Sequence, residues 1–230
     1  MSTVDIGDLY VVSTPIGNLQ DISHRALEIL QKVDYVLCED TRITKKLLNQ
    51  YNISSKLISY NENNENRRIP KIIDDLNSNL NLALVTDAGT PCISDPGFRL
   101  ISYIKENNLG INVLPVPGAT ASIAALSVSG LPSDSFYFVG FLPKKKGRIK
   151  KIKEFKDIKS SIILYESPYR VNKTLSDLFD ILGNRKVFVS REMTKLYEEY
   201  SYSDLKTLVA NSDHKTPKGE FVIVLAKEGY

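Results

Sequence analysis

Three times in the first 122 residues, a short and mostly apolar run gives way to a cluster of glycine, proline and small hydroxyl residues. Leu9-Tyr-Val-Val12 leads into Ser13-Thr-Pro-Ile-Gly-Asn18. Leu82-Ala-Leu-Val85 leads into Asp87-Ala-Gly-Thr-Pro-Cys-Ile-Ser-Asp-Pro-Gly97. Ile111-Asn-Val-Leu114 leads into Pro115-Val-Pro-Gly-Ala-Thr-Ala-Ser122. A fourth run, Tyr35-Val-Leu-Cys38, has the same character. Strands buried on both faces of a parallel sheet read as continuous apolar runs of this kind. Helical stretches lie between them. Asp21 or Ser23 caps a helix carrying Ala26, Leu27, Leu30 and Val33 on one face, and Thr41 caps the next, with Leu47 and Leu48 inside it. Residues 63–78 read as a polar surface helix and 97–108 as another. Alternating strands and helices imply an α/β sheet.

The second half reads the same way. Ser161-Ile-Ile-Leu-Tyr165, Lys186-Val-Phe-Val-Ser190 and Phe221-Val-Ile-Val-Leu225 are expected strands. Ser167-Pro168 opens a helix through Val171, Leu175, Leu178 and Leu182 that stops at Gly183. The expected boundary lies near Pro115–Gly118, giving two α/β domains, 1–117 and 118–230. No repeat interrupts this plan.

Composition narrows the function. No apolar run reaches the roughly 20 residues that span a bilayer. The opening Met1-Ser2-Thr3-Val4-Asp5 lacks the order of a signal peptide, so a cytoplasmic protein is expected. Two cysteines, Cys38 and Cys92, are too few for a disulfide framework or a structural zinc site. The charge is uneven: residues 1–117 hold 11 basic and 14 acidic side chains, a net −3, and residues 118–230 hold 19 and 13, a net +6. The second half is the one suited to a polyanion.

In open α/β sheets ligands bind beyond the carboxyl ends of the strands, where the three clusters fall. Glycine there lets the backbone approach a ligand closely. Each cluster alone is also an ordinary strand-to-helix turn; three at successive strand ends favour a site. The ligand is not a dinucleotide on a G-x-G-x-x-G loop, and no P-loop motif is present. His24 and His214 are far apart in sequence, which disfavours a histidine metal site or a Ser-His triad; both read as surface or packing residues.

Long ordered segments then carry a resemblance. Leu9-Tyr-Val-Val-Ser-Thr-Pro-Ile-Gly-Asn-Leu, Glu39-Asp-Thr-Arg42, Val85–Gly97, Val116-Pro-Gly-Ala-Thr-Ala121, Phe138-Val-Gly-Phe-Leu-Pro143, Tyr165-Glu-Ser-Pro-Tyr-Arg170 and Ser190-Arg-Glu-Met-Thr-Lys195 are similar to bacterial 16S rRNA 2′-O-methyltransferases acting on a decoding-centre cytidine. These belong to the tetrapyrrole-methylase fold group, and the resemblance runs from about residue 8 to residue 226. It implies two α/β domains with S-adenosylmethionine in the cleft between them, a homodimer, no metal, and 16S rRNA in the small ribosomal subunit as partner. The wider fold group also methylates porphyrin-like molecules, so a small-molecule methylase stays open. So does a non-catalytic RNA-binding assembly factor.

By the same resemblance, Pro15, Asp87, Gly89, Thr90, Gly118, Thr120 and Ser122 line the cofactor site, although Asp87 could instead cap its own turn. A ribose hydroxyl must lose its proton as it attacks, so a base or an alkoxide-stabilising cation is expected. The candidates are Lys195, Glu39 and Glu166, with Asp40 and Glu192 beside them. Lys195 is preferred, because a desolvated lysine near cations can become a base. Arg42, Arg170 and Arg191 are candidates for RNA phosphates, or for internal pairs such as Glu39–Arg42 and Glu166–Arg170. Lys144, Lys145, Lys146 and Arg148 begin a basic run through Lys156 in which Glu154 is the one acid. It reads as an exposed loop entering a helix, a docking surface without base stacking, or else as a solvated helical face.

Overall fold

A computed structural model of the chain describes residues 6–211 and 218–230; Met1–Asp5 and His214, read above, lie outside the described residues. The chain divides into two compact units, one ending at Thr120 and the other beginning at Ala121.

Unit 1 alternates strands with helices. They run β1 (Leu9–Val12), α1 (His24–Lys32), β2 (Tyr35–Cys38), α2 (Thr41–Gln50), β3 (Leu57–Ser59), α3 (Glu65–Asn77), β4 (Leu82–Leu84), α4 (Phe98–Glu106) and β5 (Val113–Val116). The sheet order is β3-β2-β4-β1-β5 and every pairing is parallel. Alternate side chains on each strand feed opposite layers. Leu9, Leu37, Leu82 and Leu84 pack with Ile72, Ile73 and Leu76 of α3 and with Leu100 and Ile104 of α4. Val12, Val36, Cys38 and Ala83 pack with Ala26 and Leu30 of α1 and Leu48 of α2. Each such aliphatic side chain, fully removed from water, stabilises by roughly 2 kcal/mol. The chain therefore leaves β1 toward one face and leaves its neighbour β4 toward the other. This reversal places a crevice beyond the carboxyl ends of β1 and β4.

Several local details differ from the sequence reading. Asp40, not Thr41, caps α2, its carboxylate accepting from the Arg42 N–H. The stretch 63–78 is amphipathic rather than merely polar, burying Ile69, Ile72, Ile73 and Leu76 through α3. The last strand lies at 113–116 and includes Pro115, paired with Val11. Proline is tolerated there because β5 is an edge strand.

Unit 2 opens with α5 (Ala121–Val128), then β6 (Phe136–Phe141), α6 (Arg148–Glu154), β7 (Ser161–Glu166), α7 (Val171–Leu182), β8 (Lys186–Arg191), β9 (Glu199–Asp204), α8 (Leu205–Ala210) and β10 (Phe221–Leu225). Its sheet is mixed. In the order β6-β7-β10-β8-β9 only β6 and β7 are parallel. The central strand comes last in the chain. Val171, Leu175 and Leu178 of α7 close one face over Ile162, Leu164 and Ile223. Ser167-Pro168 forms a turn, not the first helical residues. The Arg170 and Val171 N–H groups both donate to the Ser167 carbonyl, and α7 begins at Val171. Gly183 ends it at φ 75°. No helix among the described residues is long and apolar enough to cross a membrane.

Candidate functional site

The loops after β1, β4 and β5 are stitched into one surface in unit 1. Thr14 and Gly89 exchange backbone hydrogen bonds at 2.9 and 3.1 Å, an antiparallel bridge across the crevice. The Thr90 hydroxyl joins three partners: Ser13 Oγ at 2.9 Å, Thr120 Oγ1 at 2.6 Å and the Ala119 carbonyl at 3.0 Å. Thr14 Oγ1 donates to the Thr86 carbonyl at 3.1 Å. Two glycines make this possible. Gly89 holds φ at +90°, where L side chains are rarely found, and a Cβ on Gly118 would lie 2.9 Å from Ser13 Cβ. The structure thus brings Pro15, Gly89, Thr90, Gly118 and Thr120 together. Ser13 and Thr14 complete the surface, and sequence reasoning had not singled them out.

Asp87 does not cap its own turn. Its carboxylate accepts the Asp40 N–H at 3.0 Å and so ties the end of β2 to the loop after β4. Beside it, Thr86 donates to Glu39 Oε2 at 3.3 Å. Burial, then the neighbouring charge of Asp87, pushes the Glu39 carboxyl up from its ordinary value. Burial also pushes Asp87 up. Asp95 rises furthest, to about 6, through burial and then the charges of Glu39 and Asp87, against the opposing Thr86 hydrogen bond. Asp40 behaves oppositely: the Arg42 guanidinium chelates it and holds it down at about 2. No group of three histidine, cysteine or acidic side chains among the described residues has the geometry to hold a metal.

The remaining candidates lie in unit 2, and most of them are engaged. Glu166 is buried at the end of β7. It accepts from Arg170 Nη2 at 2.7 Å, Thr174 Oγ1 at 2.6 Å and its neighbour Ser167 N–H at 2.7 Å. Arg148 is also buried, not part of an exposed basic surface. Its Nε meets Asp177 at 2.8 Å, its Nη2 meets Thr174 at 2.7 Å, and its Nη1 lies 3.6 Å from Glu166. Arg170 spends a further N–H on the Leu142 carbonyl. Arg191 is held by the Lys218 carbonyl and by Glu199. Arg170 and Arg191 are thus engaged in internal pairs, as one of their two readings had it, whereas Arg148 is neither on a docking surface nor on a solvated face but buried against Asp177. Ser122, in the first turn of α5, is buried, and its N–H donates to the Tyr165 hydroxyl at 3.1 Å.

Lys195 differs from its expected environment. It bonds Glu192 and Glu220, each at 2.9 Å. Burial pulls its ammonium down, but the hydrogen bonds and charges of Glu220 and Glu192 outweigh that, and the net direction is up. This arrangement favours its ammonium form. Glu220 is 25 residues away, so no local pattern announced it. Lys144, Lys145 and Lys146 are exposed ahead of α6. The structure also sets Tyr137 of β6 beside α6, with Lys151 Nζ donating to its hydroxyl at 3.0 Å and lying over its ring.

The profile of the family Tetrapyrrole (Corrin/Porphyrin) Methylases matches residues 8–209. A protein of Halalkalibacterium halodurans named Ribosomal RNA small subunit methyltransferase I is 49% identical, over 98% of this chain and 78% of that one. One of the same name from Thermotoga maritima is 42% identical over 96% of this chain and 99% of its own length. Among solved structures, the methyltransferase CobJ has a TM-score of 0.71 at 14% identity, covering 96% of this chain and 95% of that one. A uroporphyrin-III C-methyl transferase from Thermus thermophilus, complexed with S-adenyl homocysteine, has a TM-score of 0.66 at 16% identity, covering 95% and 97%.

Proposed function

Because the chain belongs to the tetrapyrrole methylases and, within them, to the ribosomal RNA small subunit methyltransferase I family, we propose that it transfers a methyl group from S-adenosylmethionine to the 2′-oxygen of a decoding-centre cytidine in the small ribosomal subunit. The observation that carries this reading is near-full-length identity to relatives of that name, 49% over 98% of the chain in one of them.

The carboxyl edge of unit 1 fits the cofactor. Gly89 has a backbone that only glycine adopts readily, and Gly118 lets the loop after β5 close onto Ser13, so the loops present main chain and hydroxyls along one edge. Asp87, Gly89, Thr90, Gly118 and Thr120 are the residues that would hold it. Bound there, it supplies an electrophilic methyl group. The protein must then place the hydroxyl in line and accept its proton. Of the candidate bases Lys195, Glu39 and Glu166, Glu166 is paired with arginines and Lys195 with two carboxylates. Glu39 is neither: it sits beside Asp87 with a raised pKa, which makes its carboxylate the better proton acceptor. Lys144, Lys145 and Lys146 attract the RNA backbone.

The test uses cofactor with a labelled methyl group and small subunits that lack the modification. Label at one decoding-centre cytidine, resistant to alkaline cleavage, is the expected result; tight cofactor binding with no label on RNA refutes it. Glu39→Gln is expected to lower kcat at least 100-fold with KM nearly unchanged. Lys144, Lys145 and Lys146 changed together to alanine should reduce the salt dependence of binding, lowering the slope of log affinity on log salt by about 2.

A further inference from the structure

Outside the stitched loops, two surface cavities of unit 1 are of similar size, each about 400 Å³. Their linings differ in one decisive way. The cavity beside α3 carries Lys56, Arg68 and Lys71 but also Asp34 and Asp75, and Lys71 is already paired with Asp75 at 2.7 Å. Its charge is compensated from within. The cavity between α2 and the edge strand β3 carries Arg42 and Lys45 and no acid at all. The ion pairs of unit 1 among the described residues join Arg42 to Asp40, Lys71 to Asp75 and Arg99 to Glu65; Lys45 belongs to none of them. In a unit with 11 basic and 14 acidic side chains, this is a local reversal of sign.

Its shape follows from the helix. Thr41, Arg42, Lys45 and Asn49 recur at the spacing of one α2 stripe, so they run along the groove rather than clustering at a point. Leu48 and Ile53, both buried, form an apolar floor, and Ser54 adds a hydroxyl from the turn before β3. The groove is joined to the candidate site through the chain: Thr41 and Arg42 of its lining directly follow Glu39 and Asp40, and the Asp40 N–H is bonded to Asp87. A volume of this size lies within the usual range for a bound small molecule or one polymer unit. Two cations, an amide and a hydroxyl over an apolar floor suit a phosphodiester with its attached nucleoside.

We propose that the α2–β3 groove is an RNA subsite, in which Lys45 and Arg42 hold a backbone phosphate of the substrate next to the nucleotide that is methylated. This rests on the RNA-methylating reading above. Arg42 keeps its pairing to Asp40, which aims the guanidinium; Lys45 supplies the uncompensated charge.

The experiment compares Lys45→Glu and Lys45→Ala with Lys105→Glu, an exposed lysine of α4 on the opposite face of the same sheet. Steady-state methyl transfer to unmodified small subunits is measured between 50 and 200 mM salt, together with direct binding of the subunits and of S-adenosylmethionine. Lys45→Glu is expected to raise KM for the subunit at least 10-fold, with kcat and cofactor affinity within about twofold of wild type. Lys45→Ala should lower the salt slope by about 1. Lys105→Glu should do neither. If Lys45→Glu matches Lys105→Glu, the groove does not hold RNA. If it lowers kcat and spares KM, the residue acts elsewhere and the subsite is refuted. A wild-type protein that binds subunits without methylating them would refute the methylation reading alone. The binding slopes of the same variants would still decide the groove.

Discussion

The two units place polar side chains at strand ends in opposite ways. At the carboxyl edge of unit 1 the loops after β1, β4 and β5 are tied to one another by neutral groups: hydroxyls of Ser13, Thr90 and Thr120, and backbone groups of Thr14 and Gly89. After β7 in unit 2 they are ionic, with Glu166 and Asp177 set against Arg148 and Arg170. A neutral lattice that holds glycine backbone open leaves room and hydrogen-bonding capacity for a guest. A buried ionic network has no such reserve, because each charge must keep its partners or lose its solvation without return. On this ground the candidate acids and bases sort into a ligand edge and a structural clamp.

The clamp gives the largest expected effect. Glu166→Ala would strand two guanidinium groups, Arg148 being 4% exposed. It should cost about 3–5 kcal/mol of stability, read by urea unfolding, and much of the protein should be insoluble at 37 °C. Glu166→Gln keeps the shape and should cost less while retaining methyl transfer in the folded fraction. A Glu166→Gln protein of wild-type stability with kcat lowered 100-fold would break the contrast and return Glu166 to the chemistry.

The lattice gives the next effect. Thr90→Val preserves shape and removes the hydroxyl shared by Ser13, Ala119 and Thr120. It should cost about 1–3 kcal/mol, since buried partners are left unpaired. Affinity for S-adenosylmethionine should fall roughly tenfold, because the loops after β4 and β5 lose their common tie. Calorimetric titration measures this. Unchanged affinity, with the stability loss present, would mean that the stitching is structural only.

What the sequence made legible was local. β1, β2 and β10 occupy the stretches read for them, because an apolar run between turn residues is a self-contained signal. β3 and β9 were not read: β3 has three residues, and β9 alternates tyrosine with serine at an exposed edge. The glycine and proline clusters were visible, and their placement at strand ends followed from the strands. Their mutual contacts did not, because the adjacency of β4 and β1 is set by crossovers and not by chain order. The same limit explains the charged residues. Arg148 looked like one member of a basic run, yet its helix turns it inward onto Asp177, 29 residues on. Tyr137 looked remote from that run, yet α6 brings Lys151 back to its hydroxyl on β6. Spacing within a helix is readable; partners brought together by a sheet are not.

The smallest effect separates the two units by pH. Three carboxyls of the ligand edge, Glu39, Asp87 and Asp95, are shifted up, with Asp95 at about 6 against an ordinary 3.8. A raised carboxyl favours the fold while it is protonated. Below the ordinary value both folded and unfolded chains carry the proton, and the group costs nothing. Between about 4 and about 6 the unfolded chain ionises first, so the stability of unit 1 falls as pH rises. Above 6 the buried charge is carried in full. Glu39 and Asp87, also raised by burial, act in the same direction. Asp95→Asn imitates the protonated form at every pH. Its melting midpoint should exceed that of wild type by about 2 °C at pH 7.5, and the gap should close toward pH 4. A gap that stays constant with pH would show that Asp95 acts through shape. A gap of opposite sign would show that its charge is already compensated at the edge, which would remove the reserve of negative potential that distinguishes this site from the paired charges of unit 2.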